Sequence, residues 1–233
     1  VERFPSKALW LDENMGAVRA TNAGLMLSML NPSEFVLVLD DDTEIPKGDV
    51  EWLDRWLKHF DDPKVGAAGA TTDYVAGAQN IEVCPETYDK AWKDEKTGAQ
   101  GMEGPVFAPF LISFACMYRK SALKKMYAPS IGHEGIALAE KSEAPLARSF
   151  LWDERFEPGN SEDIDVSVRL RLAGYQLKIA RDVYIHHKGS QTFKGVEGGF
   201  DALLEANRQK MVEKWGIEIL SKLHLAAPQE AGA

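Results

Sequence analysis

Apolar and polar positions along the chain switch repeatedly between a period near two and a period near four. The first clear run is Phe35-Val36-Leu37-Val38-Leu39. Five consecutive apolar residues, two of them β-branched, predict a short strand buried on both faces. Ahead of it, Ala8-Leu9-Trp10-Leu11 predicts a strand and residues 12–16 a turn. Gly16 to Leu30 predicts a helix with Val18, Leu25 and Met29 on one side, ended by Asn31-Pro32. Arg19 and Asn22, three apart, share a face of that helix. After the first run, Val50, Leu53, Leu57 and Phe60 form a helical stripe over about 49–60, stopped by Asp61-Asp62-Pro63. Val65 to Ala70 is small and apolar, as in a closely packed strand. Residues 71–79 read as a polar loop and 85–105 as an aperiodic surface excursion. Phe110 to Tyr118 is a second buried run, and Arg119-Lys120-Ser121 opens a short helix. Residues 129–145 lack a period and 152–160 form a polar-aromatic loop. Ile164, Val168 and Leu172 then recur every four residues up to Gly174, a C-cap position. Tyr175, Leu177 and Ile179 alternate as one strand, Val183-Tyr184-Ile185 form another, and a last helix covers about 200–215. Strands alternating with helices predict one α/β domain.

Composition narrows the class without changing that picture. The 233 residues suffice for one α/β domain with a full core, and the formal net charge of −9 argues against binding nucleic acid or an anionic membrane surface. No apolar run reaches the length of a membrane span, and the start does not read as a signal peptide. Cys84 and Cys116 lack zinc-type spacing. They read as reduced core thiols of a cytoplasmic protein, with a single bridge as the alternative. The first residue is Val1, not methionine, so a fragment or a processed start is expected.

Three polar clusters carry candidate chemistry. Asp40-Asp41-Asp42 stands where the first buried strand ends, the place where open α/β sheets bind ligands. Three adjacent carboxylates raise one another's pKa unless donors or a hard cation compensate. The plain alternative is an acidic surface turn closed by Pro46 and Gly48. Ser161-Glu162-Asp163 opens a helix, where a serine cap and acids in the first turn also serve the helix dipole. His186-His187 ends a strand, where a histidine is commonly structural. Together, the clusters could supply two metal ligands and a separate base.

Several segments resemble family-two glycosyltransferases. These are Gly16-Ala17-Val18-Arg19-Ala20-Thr21-Asn22-Ala23-Gly24, the strand into Asp40-Asp41-Asp42, and the loop from Thr71 to Gln79. They continue with Phe156 through Asp165 to Arg169 and Gly174-Tyr175, then Val183 through His187 to Phe193, and Asn207 followed by Lys214-Trp215-Gly216. Each is weak alone, a DxD motif included; their shared order over nearly the whole chain carries the resemblance. It implies a single Rossmann-like A-type nucleotide-diphospho-sugar transferase domain over 1–225, with an insertion at 129–149 and a disordered tail at 226–233. It also implies a nucleotide-sugar donor, a glycan, lipid-linked or protein acceptor, Mn²⁺ or Mg²⁺, inversion at the anomeric carbon, and a cytoplasmic site, in solution or peripheral to a membrane.

By the same resemblance Asp42 binds the metal, with His187 as a further ligand and His186 the alternative. Asp40 and Asp41 sit near the donor, and Asp163 is the catalytic base. Arg19 and Asn22 line the donor site, and Glu162 and Asp165 support or bind the acceptor. Trp152, Tyr74 and Gln79 are candidate sugar or acceptor contacts, with core packing the competing role for the aromatics. The chain departs from the family in lacking the opening strand, loop and strand, so part of the nucleotide pocket is expected to be missing. It also lacks a Gln-x-x-Arg-Trp motif, which disfavours a processive synthase. Two other functions compete. One is a non-catalytic nucleotide- or glycan-binding remnant. The other is a haloacid-dehalogenase-like phosphatase, whose motif fits poorly because Glu44 stands where Thr or Val is required and Thr43 comes one place early.

Overall fold

A computed structural model describes residues 9–81, 91–93, 100–102, 106–129, 132, 134, 151–189, 199–223 and 225. In chain order the elements are α1 (Ala17–Met29), β1 (Phe35–Leu39), β2 (Thr43–Glu44), α2 (Trp52–Lys58), β3 (Val65–Thr71), β4 (Ala91–Lys93), β5 (Gln100–Met102), β6 (Val106–Phe107), β7 (Ala115–Arg119), α3 (Lys120–Lys125), a 3₁₀ turn (Glu154–Phe156), α4 (Glu162–Leu172), β8 (Gln176–Tyr184), β9 (His186–His187) and α5 (Gly199–Lys222). The main sheet runs β1-β7-β3-β8-β6 and is mixed: β3 and β8 are parallel, and every other neighbouring pair is antiparallel. The predicted α/β domain is present, with a mixed sheet at its centre.

Alternation across that sheet builds two cores. Cys116 and Tyr118 of β7 and Ala67 of β3 face α1, α3 and α4, meeting Val18, Leu25, Leu123, Val166 and Leu170. Ala115, Met117 and Ala68 face the other way, onto Trp56 of α2 and Phe60. The small residues of β3 let its neighbours close in. An added Cβ at Gly69 would lie 2.5 Å from Gln79 Nε2 and 3.1 Å from Cys116 Sγ. Burial pushes the pKa of the free Cys116 thiol up, so it is an inert core group. Cys84 falls outside the described residues.

Several expectations change. β1 is an edge strand, not one buried on both faces: Val36 and Val38 pack on one core and Phe35 and Leu37 on the other, but all four are half-buried and Leu39 is exposed. An apolar run reports two packed faces, not a neighbour on each edge. Leu9 to Leu11 form no strand, and Trp10 is 89% exposed. Of the stripe over 49–60, Leu57 and Phe60 pack on the core as expected, but α2 starts only at Trp52 and Val50 and Leu53 are exposed. Trp56 is buried with Nε1 donating to the Ala68 carbonyl at 3.0 Å. The two strands read at 175–179 and 183–185 are one strand, β8, whose register against β3 shifts between Ala70 and Thr71. Within 85–105, β4 and β5 pair as a short hairpin. The last helix runs on to Lys222 across a kink at Gly216, where φ is 74°.

A third cluster, Phe156, Val168, Met211, Trp215 and Leu220, seats α5 against α4. Of the expected insertion at 129–149 only 129, 132 and 134 are described, and the tail at 226–233 lies outside the described residues. Among the described residues, no helix is long and apolar enough to cross a membrane.

Gly69→Ala should displace the Gln79 carboxamide, which is held by backbone on every side, and cost about 1–3 kcal/mol of overpacking. Urea denaturation reads the loss; an unchanged midpoint would show that the Gln79 staple can shift freely.

Candidate functional site

The turn after β1 is built by its own backbone. Asp40 N donates to the Phe114 carbonyl at 2.8 Å, and Thr43 returns both N and Oγ1 to the Asp40 carbonyl at 3.2 and 2.7 Å. β2 then pairs with β9, setting Thr43 opposite His187, and Lys188 N donates to the Asp42 carbonyl at 3.0 Å. This two-stranded clip brings together residues far apart in sequence. His187 Nε2 lies 3.2 Å from Asp42 Oδ1 and 4.0 Å from Asp40 Oδ2.

His187 is held on three sides. Nδ1 is 2.9 Å from the Tyr74 carbonyl, which can only accept, so Nδ1 carries a hydrogen and Nε2 is the ring nitrogen turned toward the carboxylates. Its ring stacks on Phe114 at 4.9 Å and meets the Tyr74 ring edge-on. Ligand atoms of Asp40, Asp42 and His187 all lie within 4.8 Å of one another, a spacing one cation can span. Two carboxylates and an imidazole oriented by a carbonyl suit Mn²⁺ or Mg²⁺, the nitrogen favouring Mn²⁺. Asp40 therefore joins Asp42 and His187, whereas exposed Asp41 does not. His186 points to the other face of the clip, 3.7 Å from Asp73.

Electrostatics mark the same place. Asp40 is pushed up to about 6, first by desolvation, then by Asp42 and Asp41, with His187 opposing. Half of its side chain still meets solvent, so Asp40 is not in a sealed core.

Asp163 stands in the first turn of α4, near enough for the charge of Asp40 to act on it. It is 6% exposed, and its oxygens accept from Ile164 N (2.7 Å) and Ser113 N (3.3 Å). Burial pushes it up to about 6 against those two donors, and the charge of Asp40 adds to the rise. Glu162, also buried, is driven well above the usual carboxylate range by burial and by Asp163, and its Oε2 has no hydrogen-bond partner.

Ser113-Phe114 joins the two halves. The Ser113 N–H holds Asp163, the Phe114 carbonyl holds Asp40, and the Phe114 ring backs His187. Sequence reasoning missed this pair, which looks like any other part of an apolar run; its contribution is mostly main-chain, which side-chain identity does not reveal.

The remaining predicted residues frame the site. The Asn22 carboxamide is spent on the main chain of Trp152, accepting from its N at 2.7 Å and donating to its O at 3.0 Å. Asn22 is thus a staple between α1 and the 152 segment, not a donor-facing group. Gln79 is likewise used up, donating to the carbonyls of Ala70 and Ile112 and accepting from Ile112 N. Arg19 pairs with Glu154 at 3.0 Å in an exposed contact. Trp152 is buried edge-on to Tyr118. Tyr74 acts through its carbonyl, with its ring half exposed. Glu157 caps α1 from across the fold, Oε1 accepting from Arg19 N at 2.8 Å. Its Oε2 fills the space a Cβ would need at Gly16, where φ is 83°.

Asp165 supports and does not bind. Oδ2 accepts from Arg169 at 2.9 Å, while Oδ1 takes Lys214 at 2.6 Å and Trp215 Nε1 at 2.8 Å, all of them buried. Lys214 also reaches Asp153 at 2.7 Å. Burial works to raise Asp153, but Arg155 and Lys214 outweigh it and hold its carboxyl at about 2.

No family model and no curated protein matches the chain.

The Asp163 shift makes a linkage prediction. Its carboxyl moves from an ordinary 3.8 to about 6 on folding, so ionisation costs native stability as pH rises through that window, and the cost is complete above it. Asp163→Asn lacks this term. Relative to wild type it should gain on the order of 2 kcal/mol between about pH 4 and about pH 7. Chemical denaturation at both pH values checks this, and a constant difference would contradict the shift.

Proposed function

We infer that the protein is a metal-assisted, inverting glycosyltransferase with an A-type nucleotide-sugar fold. It moves a sugar from a nucleoside-diphosphate donor to an acceptor hydroxyl. The observation that carries this reading is the cluster of Asp40, Asp42 and His187 joined to Asp163 through Ser113-Phe114, which holds Asp163 by the Ser113 N–H and Asp40 by the Phe114 carbonyl. The order of motifs along the chain supports the same reading.

Asp40, Asp42 and His187 would hold Mn²⁺ or Mg²⁺. When bound, the cation supplies Lewis-acid charge for the departing diphosphate. Asp163 accepts the proton from the acceptor hydroxyl as that oxygen bonds to the anomeric carbon, and the bond from that carbon to the diphosphate oxygen breaks. A carboxylate titrating near 6 is ionised at neutral pH and still basic enough for this transfer. Ser113 N and Ile164 N orient it, and no cation is placed on it. Glu162 stands beside it, its carboxyl raised by burial and by Asp163.

The test is Mn²⁺-dependent turnover of a panel of nucleotide sugars, measured as nucleoside diphosphate released. Asp163→Asn should reduce turnover about 10²–10⁴-fold with Mn²⁺ affinity intact, and His187→Ala or Asp42→Asn should weaken Mn²⁺ at least about tenfold. Turnover should climb with pH through about 6 and then level off, because Asp163 must be ionised. Full turnover in Asp163→Asn sinks the base assignment. Phosphomonoester hydrolysis lost in Asp40→Asn would favour the phosphatase instead.

A further inference from the structure

α5 supplies no atom to the site, yet one of its side chains grips the bend that delivers the base. Asn207 is fully buried, and its Nδ2 donates to the carbonyls of Gly159 at 3.0 Å and Asn160 at 2.7 Å. The network assigns the amide orientation. Lys210 Nζ sits 2.9 Å from Oδ1, and exchanging the two amide atoms would set an NH₂ against an ammonium and an oxygen against two carbonyls. Lys210 is itself anchored on the Arg155 carbonyl at 2.7 Å.

The bend so gripped is one the chain does not hold by itself. Asn160 and Ser161 both have left-handed backbones, with φ of 78° and 77°. That region costs an L-residue roughly 1–2 kcal/mol, and asparagine bears it better than serine. A serine in front of a helix normally caps it, but the Ser161 hydroxyl donates to Asn160 Oδ1 and makes no cap bond. The entry to α4 is therefore fixed from outside. Asp163 stands two residues beyond Ser161, and its bond to Ser113 N is already long at 3.3 Å. A small rotation of the entry would part them.

We propose that Asn207 is a positioning residue for Asp163, locking the left-handed Asn160–Ser161 bend from α5 and so setting where the Asp163 carboxylate enters the site. Its catalytic meaning rests on Asp163 being the base, but its geometry does not. The C-terminal helix thereby becomes part of the machinery. The Asp165–Lys214–Trp215 contacts hold α5 in register on α4, and Asn207 transmits that register to the bend.

Side-chain carboxyl titration of Asp163 by NMR, in metal-free protein, tests this in wild type, Asn207→Ala and Asn207→Ala/Ser161→Gly. With the bend released the carboxylate hydrates, and its midpoint should fall from about 6 toward 3.8 by at least about one unit, tenfold in acid strength. Glycine carries a left-handed φ at no steric cost, so the double variant should recover much of the shift. Mn²⁺ affinity, which depends on the Asp40, Asp42 and His187 cluster, should stay within about twofold of wild type in both. A midpoint that stays put in a folded Asn207→Ala protein overturns the proposal. So does a fall with no recovery in the double variant, or a parallel loss of Mn²⁺ affinity, since either would mean general loosening. If Asn207→Ala does not fold, Asn207→Asp, of the same shape but with no donor for the two carbonyls, is read in the same way. Wild-type protein that neither binds Mn²⁺ nor turns over a nucleotide sugar would refute the transferase reading, while the titration would still decide the role of Asn207.

Discussion

Asp163 and Asp165 lie two residues apart in the first turn of α4, both buried, and the arrangement depends on how differently they are served. Asp165 receives a guanidinium, an ammonium and an indole N–H, which together use both of its oxygens. A buried ion pair survives only with such compensation, and removing one partner typically costs about 3–5 kcal/mol. Among the described residues Asp163 receives two main-chain N–H groups and no cation, so its ionisation stays expensive and its pKa stays high. One carboxylate is spent on holding helices together, and the other is left basic.

The first of these makes the second tolerable. The Asp165 network draws in Lys214 and Trp215 from α5 and Asp153 from the segment before the 3₁₀ turn, so α5, α4 and that turn behave as one block. A block of this kind can carry the left-handed bend at Asn160–Ser161 and an unpartnered Glu162 Oε2 without collapsing around them. In the Asp40 cluster the same economy appears. Asp40 and Asp42 repel each other, and what fixes them is backbone: the Phe114 carbonyl, the β2–β9 clip and the Tyr74 carbonyl behind His187. Preorganised main-chain groups hold both carboxylate clusters in place.

The legible part of this site was its charged chemistry. The three polar clusters stand out because each ends or begins an element whose period can be read locally, whereas the choice of Asp42, Asp163 and His187 over His186 within them rests on the resemblance to family-two glycosyltransferases. Asp40 was legible as an acid but not as a member of the cluster, since only the Thr43-stabilised turn brings it beside His187. Asn22 and Gln79 misled because a carboxamide looks the same whether it faces a ligand or staples backbone, as both do here. At α2 the stripe was legible at Leu57 and Phe60 but not at its start, because Val50 belongs to the turn before the helix and Trp56 is the side chain packed under β3.

The sequence by itself determined the alternation of strands and helices, the small-residue strand at the sheet centre, and the three polar clusters, because these follow from local period and chemistry. Only the tertiary structure decided that β1 lies at an edge, that the sheet is mixed, that Ser113-Phe114 links the two carboxylate clusters, and that Asn207 grips the bend before Asp163. Those features are pairings between residues roughly 50 to 110 positions apart, made largely through main-chain groups that every residue carries alike. No local pattern encodes them, so they appear only when packing brings the partners together.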